Sequence, residues 1–362
     1  MKSMKLCSLL LAACLLFTAA ACSGAAPDGG PTDAGEPSAE PVPSVAAEIT
    51  PDDAPPAGDE YPIVISHAFG ETVVEKKPER IATISWANQD TPLALGVVPV
   101  GFSMANFGPV DSYGNHPWTA ARLEELGVTD PNVFQDTDGI DFEALSDARP
   151  DVILAAYSGI TREEYDLLSQ IAPVVAFPRY AYQTYWKEQI VLNATGMGMR
   201  EAGERYVADM EALIADTTAR YPQLAGKTGA FFWIDATDLS TFYLYFTVDP
   251  RAEYLTDLGV AFPDELRALQ TDETAFSATL SAENIDLLNG LDIIVAYGDN
   301  TLLETLQADP LFGTVPAIQA GAVVFIDSNS ELAAASTPGA LSIPAVIDEY
   351  VARLAAAADK AA

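Results

Sequence analysis

The stretch that decides the fold is REAGERYVADMEALIADTTARY, residues 200–221. Its apolar residues recur at helical spacing and charged residues fill the positions between them, which predicts an amphipathic helix that Pro222 ends. At 1.5 Å per residue this helix would be about 33 Å long, roughly the width of a small domain. We therefore expect it to join two bodies without belonging wholly to either.

The segments on the two sides of this helix repeat one pattern, in which short apolar runs alternate with helical stretches. Strand-like runs occupy residues 80–86, 97–101, 151–155 and 174–177 before it, and residues 229–233, 291–298 and 323–326 after it. Hairpins are predicted over residues 63–74 and around residues 242–246. Strands that alternate with helices are typical of a parallel sheet. The prediction is an α/β fold of two parallel-sheet lobes joined by one long rigid helix.

The chain begins with a pattern typical of an exported protein. Residues 1–22 combine a basic start, an apolar run and small residues before Cys22, which indicates a secretory signal peptide. The surroundings of Cys22 resemble a bacterial lipoprotein box, in which the cysteine is lipidated; the alternative is a secreted protein cut near Ala21. Residues 23–60 are rich in Pro, Gly and acids and contain no base, which predicts a disordered linker. The predicted lobes are residues 61–182 and 223–362, with bridging helices over 183–222.

Charge, cysteines and histidines argue against several function classes. The formal charge is −34, whereas nucleic-acid binding needs a basic face. All three cysteines lie within the first 22 residues, so the lobes hold no disulfide and no thiol nucleophile. The motifs Gly-x-Ser-x-Gly and His-Glu-x-x-His are absent, so we expect no enzyme, no catalytic residue and no zinc cage. Haem ligation stays open, although His67 and His116 are both predicted in loops or on the surface.

Two lobes of this kind place the carboxyl ends of their strands at a shared cleft, where ligands bind. The ligand-binding candidates are the residues at or just beyond the predicted strand ends. They are Trp86, Phe102, Met104, Asn106, Phe107, Tyr157, Arg179, Tyr180, Tyr182, Trp233, Tyr243, Tyr245, Arg251, Tyr297 and Ser328. Most of them are aromatic, and for each aromatic residue ordinary core packing is the alternative.

Several segments resemble, in their order along residues 61–355, the iron–siderophore substrate-binding proteins of ABC importers. They are RIATISW (80–86), GIDFE (139–143) followed by Pro150-Asp151, YSGITREEY (157–165), IAPVV (171–175), YWKEQ (185–189) and DPLF (309–312). The resemblance implies a class III substrate-binding-protein fold, modest hinge closure and delivery of a ferric chelate to a membrane permease. A cobalamin or haem binding protein on the same scaffold is the alternative, and a surface sensor or adhesion protein is a more remote one.

The resemblance also implies roles for particular residues. Aromatic side chains would pack against the outer organic surface of the chelate, and a lone arginine would donate hydrogen bonds to its metal-bound oxygens. Arg179, in a loop rich in tyrosine, is the favoured arginine. Glu143 and Glu283, each in the first turn of a helix and one in each lobe, match the carboxylates that meet arginines of the permease. Helix-dipole complementarity is the alternative reading of both, and Glu125 and Glu163 are the candidate replacements.

The acidic composition favours one class of cargo. Anionic catecholate and citrate chelates would need several cations in the cleft, where only Arg179 and Arg251 are obvious. The prediction is a ferric hydroxamate of the ferrioxamine type, which is neutral or cationic. We further expect no cofactor besides this cargo, no direct metal ligand from the protein and a monomer. The protein is predicted to lie at the extracytoplasmic face of the cell membrane, held by lipidated Cys22.

Overall fold

The structure, a computed structural model, describes residues 60–136 and 138–361. The predicted signal peptide, Cys22 and all of the predicted linker except its last residue lie outside the described residues. The described part opens with an antiparallel hairpin of β1 (Ile63–His67) and β2 (Gly70–Val74), which confirms the hairpin prediction for residues 63–74. No helix in the described ranges combines the length and apolar character that crossing a membrane requires.

The sheet of the N-terminal lobe contains, within the described residues, parallel strands only. They are β3 (Ile81–Thr83), β4 (Gly101–Ser103), β5 (Val133–Phe134), β6 (Val152–Ala155) and β7 (Val174–Ala176), in the spatial order β5-β4-β3-β6-β7. The helices of this lobe are α1 (Asp90–Ala94), α2 (Pro117–Glu125), α3 (Phe142–Asp147) and α4 (Arg162–Leu168). Every residue of β6 and β7 is buried, as expected for strands covered on both faces.

Two helices lead from the first lobe to the second. They are α5 (Trp186–Gly196) and α6 (Arg200–Ala219), which pack against each other along their length. Helix α6 has 20 residues and ends two residues before the predicted end, so it is about 30 Å long. Its lack of apolar residues on one side leaves that side in solvent, and its apolar side covers the last helix of the chain, α12 (Ser342–Ala358).

The C-terminal lobe has a sheet of the same spatial order. Its strands are β8 (Gly229–Trp233), β9 (Thr241–Tyr245), β10 (Ser277–Ser281), β11 (Ile293–Tyr297) and β12 (Val323–Ile326), in the order β10-β9-β8-β11-β12. Its helices before α12 are α7 (Pro250–Asp257), α8 (Asp264–Arg267), α9 (Asn300–Ala308), α10 (Pro316–Ala320) and α11 (Glu331–Ala335), with a 3₁₀ helix at Ala282–Leu288.

This second sheet corrects one detail of the predicted fold. The α/β class and the two separate sheets are confirmed, but β9 runs antiparallel to both β8 and β10. Only seven residues, 234–240, connect β8 to β9. A parallel connection needs a crossover of a dozen or more residues, so this short link can only turn the chain back. Strand β10 was not predicted.

The apolar core is continuous across the base of the two lobes. One cluster joins Trp186 and Ile190 of α5 to buried residues of α7, β11 and α12. The indole Nε1 of Trp186 donates to Asp257 Oδ2 at 2.8 Å, which fixes α5 to the end of α7. Trp186, which is 2% exposed, therefore belongs to the core of the bridge. Because this core would have to open for the lobes to separate fully, large hinge motions are disfavoured.

Candidate ligand-binding cleft

Each sheet reverses its strand order once, and aromatic residues follow the strands at both reversal points. In the first lobe the reversal lies between β3 and β6, whose carboxyl ends lead to Trp86 and Tyr157. In the second lobe it lies between β8 and β11, which end at Trp233 and Tyr297. Open α/β sheets bind ligands at such points, outside the carboxyl ends of the strands. The topology therefore brings these four residues from distant parts of the chain to one place.

A cavity of about 590 Å³ lies at this place, with residues of both lobes in its wall. Among the predicted ligand-binding residues, Trp86, Asn106, Tyr157, Trp233, Arg251 and Tyr297 line it. The further cleft candidates Met104, Phe107, Tyr182 and Ser328 line it as well. The wall combines six Trp, Tyr and Phe side chains with polar and charged ones, and such a mixture can hold and orient a compact organic ligand.

Backbone strain on both sides of Trp86 sets the path of the loop after β3. Ser85 and Ala87 have φ angles of 66° and 55°, in the left-handed region that residues with a Cβ seldom occupy. Strain of this kind persists only where neighbouring contacts hold it, and it concentrates at ligand sites. The half-buried indole of Trp86 is thereby presented to the cavity at a fixed place.

Asn88 supplies the contacts that hold this loop. Its Nδ2 donates to the carbonyl oxygens of Ile84 at 2.8 Å and Tyr157 at 2.9 Å, and its Oδ1 accepts from Tyr157 N at 3.1 Å. The side-chain amides of Gln189 and Asn193 on α5 donate to the same Oδ1 at 3.2 and 3.0 Å. One fully buried amide thus ties the two loops of the reversal point to the bridging helices. Asn88 is not among the predicted site residues, because an isolated asparagine before a short helix carries no signal of burial.

Arg251 is the arginine that lies in the cavity. Its Nε and Nη2 donate to Asp249 at 2.8 and 2.6 Å, and its guanidinium carbon lies 4.2 Å from the ring centroid of Tyr245. Asp249, whose side chain is 1% exposed, also accepts from the backbone N–H of Arg251 at the start of α7. Burial lowers the pKa of Arg251, but the charge of Asp249 outweighs it and the net shift is upward. Tyr245 is a further hydrogen-bond partner of the Arg251 side chain. The guanidinium lines the cavity, where its N–H groups can serve a ligand.

Arg179 and Tyr180 lie outside the cavity, which corrects the prediction of both as cleft residues. Arg179 pairs with Glu188 at 3.0 Å in a separate shallow groove beside Trp186 and Lys187. The hydroxyl of Tyr180 donates to the carboxylate of Glu273, across to the C-terminal lobe. Both residues follow β7, which is an edge strand, and the loop after an edge strand lies beside the reversal point rather than at it.

Phe102 and Tyr243 also lie outside the cavity. Phe102 is 2% exposed and packs with Leu93 and Leu123 in the core beneath the sheet. Strand β4 begins at Gly101, four residues later than predicted, so Phe102 lies within the strand and not beyond its end. Tyr243 lies in the middle of β9, where its ring packs edge-on against Trp233 at 5.1 Å. Tyr243 therefore contacts a residue of the cavity wall, Trp233, without lining the cavity itself.

Both histidines are buried, so neither lies on the surface; His116 lies in the loop before α2, as predicted, whereas His67 is the last residue of β1. The ring of His116 lies between Trp86 and Trp118, at centroid distances of 5.5 and 4.7 Å, and it lines the cavity. Burial lowers the pKa of His116, so the ring is neutral in this apolar surrounding. His67 bonds the hydroxyl of Thr72 at 2.9 Å, and burial lowers its pKa as well. A histidine at a cavity wall gives no periodic signal in the sequence.

Contacts between the lobes close the cleft on two sides. On one side the ring of Phe107 lies 5.9 Å from that of Tyr297, and Gly108 lies directly against Ala334 of α11. On the other side Gln183 Nε2 donates to the carbonyl oxygen of Thr274 at 2.9 Å, next to the bond between Tyr180 and Glu273. The structure therefore has the lobes close together on both flanks of the cavity.

The contact at Gly108 predicts a large effect from a single methyl group. A Cβ at Gly108 would lie 2.7 Å from Ala334 Cβ, so we expect Gly108→Ala to push the lobes apart and to weaken ligand binding about tenfold. Gly127→Ala is the matched control, because Gly127 has a similar φ of 74° against 82° but no atom within 4 Å of the place that a Cβ would take. Both variants should lose about 1 kcal/mol of stability from backbone strain. Equal affinities of the two variants, measured by calorimetry, would contradict the role of the contact.

Comparison with known proteins places the fold and the cleft in a family. The family described as "Periplasmic binding protein" matches residues 81–330, which is more than half of the chain. The chain belongs to the periplasmic binding protein family. Its two lobes, each with the strand order described above, form the class III fold of these binding proteins. The family consists of solute-binding proteins and not of enzymes.

Named relatives of this binding protein include receptors for ferric chelates. PiaA of Streptococcus pneumoniae, solved in complex with ferrichrome, is 46% identical with a TM-score of 0.79, and the match covers 83% of this chain and 100% of that one. The ferric-anguibactin-binding protein of Vibrio anguillarum is 23% identical, with coverage of 81% and 87%. The Fe(3+) dicitrate-binding periplasmic protein of Escherichia coli is 25% identical, with coverage of 74% and 86%.

Proposed function

We propose that this binding protein captures a ferric siderophore of the hydroxamate type outside the cytoplasm and delivers it to an ABC permease for iron uptake. The observation that carries the proposal is the cavity between the lobes, whose wall combines aromatic rings with the guanidinium of Arg251. The rings can pack against the outer organic surface of a chelate while the guanidinium donates hydrogen bonds to its metal-bound oxygens. The similarity to PiaA, solved with the trihydroxamate ferrichrome, supports this choice of cargo.

A panel of chelates tests this function directly. Trp86 and Trp233 line the cavity, so a bound iron chelate should quench tryptophan fluorescence. We expect tight quenching by ferrichrome and ferrioxamine and much weaker quenching by a ferric catecholate or ferric citrate, because Asp249 already neutralises the cavity's one arginine among the described lining residues. Haem and cobalamin belong in the same panel. Tight binding of haem or cobalamin, or of the catecholate alone, would show that the cargo is that ligand and not a ferric hydroxamate.

We further propose that Glu143 and Glu283 dock the permease. Both are exposed, and each lies in the first turn of the helix that precedes the fourth strand of its lobe, β6 or β11. These helices run opposite to the strands, so they begin at the edge of each sheet where the cleft lies. Neither carboxylate has an ion-pair partner within the described residues, which leaves both free for arginines of a partner. Lipidated Cys22 would keep a monomer of this protein near the membrane.

Charge reversal at the docking residues should separate transport from binding. The double variant Glu143→Arg and Glu283→Arg is expected to lower uptake of the ferric chelate by whole cells at least tenfold, because each lobe would then repel the permease arginines. Its affinity for the free chelate should stay within about twofold, since neither residue lines the cavity. Reversal at exposed Glu265, in the short helix α8, is the matched control. Uptake that persists in the double variant would contradict docking through these residues.

A further inference from the structure

The charged side chains in the cavity wall have opposite signs on the two lobes. The C-terminal lobe contributes Arg251, whereas the N-terminal lobe contributes Asp136 and Glu164. Among the described residues that line the cavity, the N-terminal lobe contributes no lysine or arginine. A ligand in the cavity therefore meets a cation on one side and carboxylates on the other, which favours one orientation of an asymmetric ligand.

Glu164 has a structural role that accounts for its presence. It occupies the third position of α4, and its Oε2 accepts from the backbone N–H of Thr161 at 2.7 Å. Thr161 in turn accepts from the backbone N–H of Glu164, so the two residues form a capping box. The capping box already gives the carboxylate of Glu164 a hydrogen bond, so its place in the cavity wall can be explained without a ligand.

Asp136 has no such role. It lies two residues beyond β5, at the carboxyl end of the strand, and it caps no helix of the described structure. The hydroxyl of Ser103 donates to its Oδ2, while Ser103 Oγ itself accepts from Ser85 N at 2.8 Å. No lysine or arginine pairs with Asp136 within the described part of the chain. This half-buried carboxylate in the cavity wall is held by the Ser103 hydroxyl and by the backbone N–H groups of Met104 and Asp136. Its two oxygens can accept about four hydrogen bonds, so room is left for a donor from a ligand.

The surroundings of Asp136 favour a charged donor over a neutral one. Burial raises the pKa of Asp136 most, the bond from Ser103 opposes that rise, and the charge of nearby Asp141 adds to it. The carboxyl group of Asp136 therefore lies in a partly desolvated place, without a counter-ion among the described residues. A cationic partner would relieve both the desolvation and the repulsion from Asp141, and it would form a charge-assisted hydrogen bond.

We propose that Asp136 is a specificity-determining residue that binds a protonated primary amine of the ferric chelate, while Arg251 on the other lobe contacts the metal-bound oxygens. The inference rests on the proposed function and narrows it to hydroxamate chelates that carry a free ammonium group. The ammonium end of such a cargo lies against the N-terminal lobe, near Ser103. The same carboxylate would repel anionic chelates, so Asp136 would favour cationic ligands and disfavour anionic ones.

Two chelates that differ in one group test this assignment. Ferrioxamine B carries a free ammonium, and its N-acetyl derivative has the same ferric core without the charge. We expect the native protein to bind the ammonium form at least tenfold more tightly, which a single charge-assisted bond in a partly buried site supplies. In Asp136→Asn this ratio should fall to about one, through weaker binding of the ammonium form. Asp130→Asn, at the exposed start of the same strand region, should keep the native ratio.

The remaining outcomes separate the inference from the function on which it rests. Ferrichrome has no ammonium, so its affinity should be the same for the native protein and Asp136→Asn, which also shows that the variant folds. Equal affinity of the native protein for both ferrioxamines, with ferrichrome bound tightly, would overturn the role of Asp136 and leave the proposed function standing. Failure of all three hydroxamate chelates to bind would overturn the proposed function itself.

Discussion

Replacing Arg251 with methionine is expected to weaken binding of a ferric hydroxamate on the order of a hundredfold, because the cavity loses its charge-assisted donor to the metal-bound oxygens. The same change should destabilise the fold by about 3–5 kcal/mol, since it leaves the carboxylate of Asp249 buried without a counter-ion. That side chain is 1% exposed and cannot recover hydration by a small movement. Fluorescence titration and urea unfolding measure the two effects separately.

A double variant distinguishes the binding role of Arg251 from its structural one. In Arg251→Met combined with Asp249→Asn no charge of this pair is left buried, and asparagine can still cap α7, so most of the lost stability should return. Ligand affinity should stay as low as in the single variant. Arg179→Met is the control, because Arg179 pairs with Glu188 on the surface outside the cavity. A loss of affinity in Arg179→Met that matched the loss in Arg251→Met would show that the wrong arginine has been assigned.

Replacing Asp90 with asparagine is expected to stabilise the protein clearly more at pH 8 than at pH 5, where only part of the cost of ionising Asp90 is present. Asp90 lies on α1, is fully buried and forms no ion pair within the described residues; Thr119 Oγ1 donates to its Oδ1 at 3.3 Å. Its Oδ2 lies close to Gly339, at the lobe junction before α12, and has no hydrogen-bond partner in the described structure. Burial raises its pKa from 3.8 to about 7, against weaker opposing bonds from Thr119, Trp118 and the backbone of Leu341.

The sign of the pH dependence follows from this raised pKa. Between pH 4 and pH 7 the folded protein keeps the proton of Asp90 while the unfolded chain has lost it, so stability falls as pH rises through this window. Above pH 7 both states are ionised and the cost is constant, on the order of 4 kcal/mol. The burial-raised pKa of Tyr206, about 12, lies outside this window, although the charge of Asp90 contributes to it.

Urea unfolding at pH 5, 7 and 8 measures this effect as a difference between the native protein and Asp90→Asn. Other titrating groups are common to both proteins and cancel in the difference. Asp216→Asn, a change of the same kind at an exposed position of α6, should give a difference that does not vary with pH. A difference between the native protein and Asp90→Asn that stayed constant across the three pH values would show that Asp90 is not titrating in this range.

The sequence alone was enough for the features that depend on near neighbours along the chain. Helical periodicity and Pro222 located the bridging helix to within two residues, and apolar runs located most strands. The repeat of one strand and helix order on both sides of that helix predicted two lobes with a cleft between them. Residues at or just beyond the ends of the inner strands, such as Trp86, Tyr157, Trp233 and Tyr297, could be chosen because strand ends at a reversal point must meet.

Only the tertiary structure decided which charged and polar groups reach the cavity. Arg179 and Arg251 look alike in sequence, since each follows a strand and has tyrosines within a few residues. The first follows edge strand β7 and finds Glu188 on the surface, whereas the second begins α7, where Asp249 directs it into the cavity. The burial of Asn88 and the place of Asp136 depend likewise on partners far away in the chain. Periodicity records which face of an element is apolar, but a polar side chain's role is set by the groups that folding brings beside it.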